Sequence, residues 1–189
     1  MFESVKRKVF ISYHHSNDQY YADYIQRLAT CYKIFTDRSL ERIINSTNTD
    51  YVQWAIKENN LKGTSVTIVL CGAETYKRKY VDWEIYHTLD LSHGLLGILL
   101  PTCTSDYNGN YIIPARLKEN ISSGYATCIG WGQILNYENL HSIFSAYTLM
   151  VQQNRHLNFK NSIEQSFQSS QDYFSRINNN TARMLRNAS

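Results

Sequence analysis

No apolar run in this chain is long enough to span a bilayer, since the longest, Leu95 to Pro101, has only the length of a strand. No C-x-x-C spacing joins its four cysteines, Cys31, Cys71, Cys103 and Cys128, and no secretory leader pattern opens it. These absences set the expectation of a reduced cytoplasmic protein whose cysteines act as small core residues. Nor is there an excess of charge of one sign. A formal charge of +3, with Lys and Arg scattered, gives no reason to expect nucleic acid or an anionic membrane as partner. The two short basic clusters, Lys6-Arg7-Lys8 and Lys77-Arg78-Lys79, read as solvated flanks. Glycine-rich phosphate loops of the Gly-x-Gly-x-x-Gly or Gly-x-x-x-x-Gly-Lys-Ser/Thr type are missing, which argues against dehydrogenase and P-loop chemistry. His14 and His15 are adjacent, and His87, His93, His141 and His156 share no ligand spacing with them or with the cysteines, so no metal site is expected. There is no internal repeat.

What is present is an alternation of strand-like and helix-like segments. In 189 residues that are 43% hydrophobic there is enough apolar material for one core. Val9 to Tyr13 reads as a first strand, and Asn17 or Asp18 as the cap of a helix reaching about Ala29, with Tyr21, Tyr24, Ile25 and Leu28 on one stripe. Tyr32 to Phe35 reads as a short second strand. The polar segment from Thr36 to Asn48 reads as a loop, followed by a helix from Thr49 or Asp50 to about Asn59. Ser65 to Cys71 is the most strand-like segment and is expected at the centre of a parallel sheet.

After Gly72, Thr75 is expected to cap a helix reaching about Ser92, with Val81, Ile85 and Leu89 inward and Glu84 beside that stripe with Tyr80 and His87. Leu95 to Leu100 and Ala126 to Gly130 supply the fourth and fifth strands. The residues between them, Thr102 to Tyr125, read as a long polar loop with a turn at Asp106-Tyr107-Asn108-Gly109-Asn110. A helix over Asn139 to Val151 completes the alternation. The expected organisation is therefore an α/β domain over residues 1–155, a five-stranded, mainly parallel sheet with helices on both faces, and a partly frayed C-terminal helical extension over 156–189. A sheet of this kind places its working loops at the carboxyl ends of the strands. Tyr13, His14, His15, Asp37, Arg38, Tyr80 and Glu84 would all open on that edge.

At this point the residues resemble a known family. Val9-Phe10-Ile11-Ser12-Tyr13 looks like the opening strand of TIR domains, Ile34-Phe35-Thr36-Asp37 like their second strand, and Val66 to Leu70 like their third. Tyr80-Val81-Asp82-Trp83-Glu84 resembles the segment in which NAD-consuming TIR domains carry a catalytic glutamate four residues after an aromatic, usually Trp. The resemblance implies a flavodoxin-like TIR fold, Glu84 as catalytic residue, and Phe10, Ser12, Tyr13, His14, Asp37, Arg38 and Tyr80 as substrate-binding candidates. It extends to the TIR component of the Thoeris antiphage system. That similarity implies an enzyme that senses infection through a phage-derived trigger and converts NAD+ to nicotinamide and a cyclic ADP-ribose isomer. The product would be a diffusible signal to a separate NAD-depleting effector. NAD+ would be substrate rather than cofactor, and the chain would form a homo-oligomer on activation. Three departures stand out: Tyr80 in place of the usual Trp, Arg78 where a small residue is frequent, and His14 where a stacking or phosphate-binding Arg is common.

Each candidate keeps a plainer alternative. Glu84 is either the carboxylate that steadies an oxocarbenium-like ribose or a solvated helix residue paired with Lys77, Lys79 or His87. Tyr13 and Tyr80 either stack on a base or pack, and Asp37 binds a ribose hydroxyl or caps a turn. His14 contacts phosphate when protonated or stands exposed and idle. Trp83 reads as packing or a partner contact. At the level of the whole chain, the alternatives are a TIR interaction module without turnover and a nucleoside-processing enzyme of similar architecture.

Overall fold

The computed structural model describes residues 7–32, 35–37, 48–135 and 142–143. Strands β1 (Arg7–Ser12), β2 (Phe35–Asp37), β3 (Val66–Cys71), β4 (Gly94–Leu99) and β5 (Thr127–Gly130) line up in the order β2-β1-β3-β4-β5. Every pairing between neighbours is parallel. The three-residue β2 sits at one edge, while the other four strands have four to six residues each. From β1 the chain moves outward to β2 and then returns to β3 on the other side. The strand order therefore reverses between β1 and β3, and the crevice beyond their carboxyl ends is the place where open α/β sheets receive ligands.

Alternation along β1 sorts its side chains onto two faces. Val9 and Ile11, followed by Tyr13, join Val66, Ile68 and Leu70 of β3 beneath helix α1 (His15–Tyr32). Phe10 faces the other way and meets Val52, Ile56, Leu61 and Trp83. A further cluster on this second face packs Val69 and Cys71 against Val81, Ile85 and Leu89 of helix α3 (Lys79–Asp90). All six residues of β3 are buried, as its β-branched composition led one to expect of a central strand. Cys71 is core, whereas Cys31 is exposed, which corrects the expectation that all four cysteines are interior. Among the described residues no helix is long and apolar enough to cross a membrane.

Several boundaries differ from the sequence expectation for identifiable reasons. Helix α1 begins at His15, where the His14 carbonyl accepts the Asn17 and Asp18 amides at 3.1 and 2.8 Å. The Asp18 carboxyl does not cap, because it accepts a hydrogen bond from the Thr75 hydroxyl. The same helix runs on to Tyr32, so the second strand starts only at Phe35. Helix α2 (Thr49–Ala55) is capped by the Asn48 side chain, which accepts the Tyr51 amide at 3.1 Å, and continues as a π-helical turn over Ile56–Leu61. Thr75 opens a 3₁₀ turn, Thr75–Lys77, rather than α3, since its hydroxyl turns back to the Gly72 amide and to Asp18.

The stretch from Thr102 to Tyr125 is not all loop: helix α4 (Ala115–Ser122) forms within it, buries Leu117 beside α3, and follows Pro114. The turn at Asp106 forms as expected, with the Asp106 carboxyl accepting the amides of Asn108 and Asn110. The helix expected over Asn139 to Val151, the domain boundary at 155 and the extension over 156–189 lie outside the described residues, apart from 142–143.

Candidate active site

Glu84 and Ser12 meet where α3 crosses the end of β1. Ser12 is the last residue of β1 and is buried, and its hydroxyl donates to Glu84 Oε2 at 2.6 Å. This is the one side-chain hydrogen bond that Glu84 makes among the described residues. A carboxylate taken out of water without a cation beside it is costly to ionise. Glu84 as a residue is only half-buried, yet the protein packed around its carboxyl pushes its pKa up to about 7, against a smaller opposing pull from the Ser12 hydroxyl. Among the described residues the alternative of a glutamate paired with Lys77, Lys79 or His87 is not what forms, since its partner is Ser12. Lys77 Nζ pairs with Glu74 at 3.0 Å, and Lys79 Nζ lies over the Trp83 ring, 4.5 Å from its centroid.

Helix α3 is fixed from two sides, so the position of Glu84 is not left to one contact. Toward the sheet, the Thr88 hydroxyl donates to the Glu84 carbonyl at 2.7 Å and lies 2.6 Å from the Thr67 hydroxyl of β3. Toward α4, Asp82 receives Arg116 Nε and Nη2 at 3.1 and 3.2 Å, a two-pronged pair. The Arg116 side chain is fully buried, and its guanidinium also lies 5.1 Å from the centre of the Tyr86 ring. Asp82 and Glu84, two residues apart, point to different sides of the helix.

His14 lies two residues beyond Ser12, with 8% of its surface exposed. Burial and the Arg78 guanidinium depress its pKa below the ordinary histidine value, while Asp18 and Glu74 pull the other way. The balance of these influences favours the neutral form of the imidazole. Asp18, 1% exposed, stands beside it, its pKa raised by burial and lowered in part by the Thr75 hydroxyl. Thr75 Oγ1 accepts the Gly72 amide at 2.9 Å and donates to Asp18 Oδ2 at 3.0 Å. Gly72 is needed there, because a Cβ at this position would land on the Asp18 carboxyl.

The other candidates are dispersed. Phe10 is buried against Trp83 and so belongs to the packing beneath the site. Tyr13 is likewise buried, facing α1, with its hydroxyl donating to Gln19 at 2.9 Å and its ring beside His15. Tyr80 is 48% exposed and meets Trp83 edge-on at 5.5 Å, leaving a free aromatic surface at the start of α3. Asp37 ends β2 at the expected edge, with its side chain undescribed, and Arg38 lies outside the described residues. The structure thus brings Ser12, His14 and Glu84 to one edge. It adds Asp18 and Thr75, which sequence reasoning treated as helix caps, and Gly72, to which it gave no role. Among the described residues no cluster of three His, Cys, Asp or Glu side chains could hold a metal ion.

Residues 10–105, just over half of the chain, match the family described as Thoeris protein ThsB, TIR-like domain. No curated protein matches the chain.

Proposed function

The chain belongs to the TIR-like domain family of Thoeris protein ThsB, and on that premise we propose that it is an NAD+-cleaving enzyme of antiphage defence with Glu84 as its catalytic carboxylate. Cleavage of the bond between nicotinamide and ribose develops positive charge on the ribose, and a carboxylate held against the sugar stabilises that charge. No general acid is required for departure, because nicotinamide leaves as a neutral molecule from a pyridinium cation. The observation that carries this reading is the desolvated Glu84 carboxyl, hydrogen-bonded by Ser12 at 2.6 Å at the edge where the strand order reverses. A pKa of about 7 gives a group that a bound cationic ring would drive into its ionised form. Tyr80, with half its ring open, offers a stacking surface close to the same helix.

In this reading the ribose is captured by an acceptor within the same molecule, giving a cyclic ADP-ribose isomer. Internal capture prevails when the pocket folds the substrate and excludes water. The product serves as a diffusible signal to a separate NAD-depleting effector, a phage-derived trigger switches the enzyme on, and activation involves self-assembly in the cytoplasm. One observation favours the alternative of an interaction module without turnover. Tyr51 and Trp54 on α2 stand exposed side by side, with ring centres 5.8 Å apart.

The test is mass spectrometry of nucleotides from phage-infected cells expressing the wild-type chain or Glu84→Gln. The enzyme reading predicts an ion one water lighter than ADP-ribose with wild type only. Its absence from both, with both proteins folded, supports the interaction module.

A further inference from the structure

Glu84 is held at two points by hydroxyls that come from two different strands. Thr67 of β3 and Thr88 of α3 are both fully buried, with their hydroxyl oxygens 2.6 Å apart. Thr88 has one hydroxyl proton, which goes to the Glu84 carbonyl at 2.7 Å, so the proton between the two threonines comes from Thr67. This chain of hydrogen bonds runs from β3 to the backbone of Glu84 and fixes the helix there. Ser12 of β1 acts on the side chain instead. Its hydroxyl lies 2.6 Å from Glu84 Oε2, and an ionised carboxylate can only accept, so the single Ser12 proton is committed to that oxygen. Ser12 is also buried, and it has no proton left to donate to a sugar. Glu84 Oε1, by contrast, takes no hydrogen bond among the described residues, and Glu84 as a whole is only half-buried.

Resting on the NAD+-cleaving reading, we propose that Ser12 is a positioning residue rather than a substrate contact: it ties down Oε2 of Glu84 and so presents Oε1 as the oxygen that faces the ribose. The terminal torsion of a glutamate is broad and two-fold, and a short hydrogen bond to one oxygen sets the plane of the group. A hydroxyl donating to a carboxylate belongs to the stronger class of hydrogen bonds and favours the ionised form, which is the form the reaction needs. Ser12 is the one group that lowers the Glu84 pKa, against burial, which raises it. The charged groups on and around α3 are engaged elsewhere. Arg116 of α4 pairs with Asp82, Lys57 of the π-helical turn with Asp90, and Lys77 with Glu74, while Lys79 lies over the Trp83 ring. Cys71 of β3 stays a thiol, its pKa raised by the Cys128 thiol and by burial. Neither these groups nor His87, three residues further along α3, contribute to the Glu84 shift.

The test reads Glu84 through Ser12→Ala, which removes one oxygen from a buried position and leaves the Thr67–Thr88 chain in place. In carbon-13 spectra of the labelled full chain, which need no turnover, the Glu84 midpoint is expected to rise by about one to two pH units. In triggered reactions kcat/KM for NAD+, which reports groups of the free enzyme, should fall about 10- to 100-fold at pH 7.5, and the deficit should shrink at least about threefold by pH 9.5, where the carboxyl of the variant is ionised. A loss of the same size at every pH, with the midpoint unmoved, makes Ser12 a substrate contact and overturns the proposal. Wild-type kcat/KM retained by Ser12→Ala at pH 7.5 overturns it as well, and in both cases the NAD+ reading stands. Wild type that releases no nicotinamide removes that reading and the role of Ser12 with it.

Discussion

Asp82 and Glu84 are two carboxylates on one helix, two residues apart, and they are held in opposite ways. Asp82 is clamped by both prongs of a fully buried arginine. Among the described residues Glu84 has one hydroxyl on one oxygen and no cation paired with it, and burial pushes its pKa to about 7. A buried ion pair is a poor source of net stability but a strong constraint on geometry, since removing either partner strands a charge. A lone desolvated carboxylate stabilises nothing when ionised, and its cost is what makes it responsive to a passing cation. The difference suits Asp82 to holding α3 in place and is the contrast on which the proposed catalytic role of Glu84 rests.

The largest expected effect breaks the reactive side of this comparison. Glu84→Gln should lower nicotinamide release on the order of 10³-fold, measured in triggered extracts, because the charge that steadies the ribose is gone. The same variant should be more stable than wild type at pH 8. The folded pKa of Glu84, about 7, lies above its ordinary 4.5, so the native state keeps a proton that the unfolded chain has released. Stability therefore declines as pH rises from 4.5 through 7, and Glu84→Gln removes that decline, a gain of roughly 1–3 kcal/mol at pH 8 that vanishes below pH 4.5. Denaturant unfolding of both proteins at pH 4.5 and pH 8 checks the sign.

The structural side breaks next. Arg116→Met leaves Asp82 without its cation and should cost about 3–5 kcal/mol, whereas adding Asp82→Leu to it should recover most of the loss. A double variant no more stable than Arg116→Met alone would mean that the clamp is not acting as a pair. Gly72→Ala should cost about 1–3 kcal/mol, as the new methyl group displaces the Asp18 carboxyl from Thr75. The smallest effect serves as a control at the surface. Lys62 pairs with Glu58 at 2.6 Å in an exposed position, and Lys62→Ala should change stability by less than ~0.5 kcal/mol in the same assay.

The sequence made one half of the comparison legible and concealed the other. The place of Glu84 on the helix after the third strand was readable, and the parallel pairing follows from the alternation of segments, whereas the strand order came only with the family resemblance. Arg116 was hidden in a stretch that reads as polar loop. A buried arginine looks like a solvated one until its partner, 34 residues away, is brought to it. Asp18 and Thr75 were misread as helix caps because each has the right residue type at the right offset, and only tertiary contact shows that they bond to each other instead. Local signals identify which residues can cap, and they say nothing about a distant partner that competes for the same oxygen.

The most direct test of the poised-carboxyl account is a carbon-13 NMR titration of the Glu84 side-chain carboxyl, with Asp82 followed in the same spectra for assignment. The account predicts a Glu84 midpoint near 7, moving downward when a pyridinium cation binds. A midpoint near the ordinary 4.5 would contradict it, placing Glu84 in water and leaving the site without its reactive group.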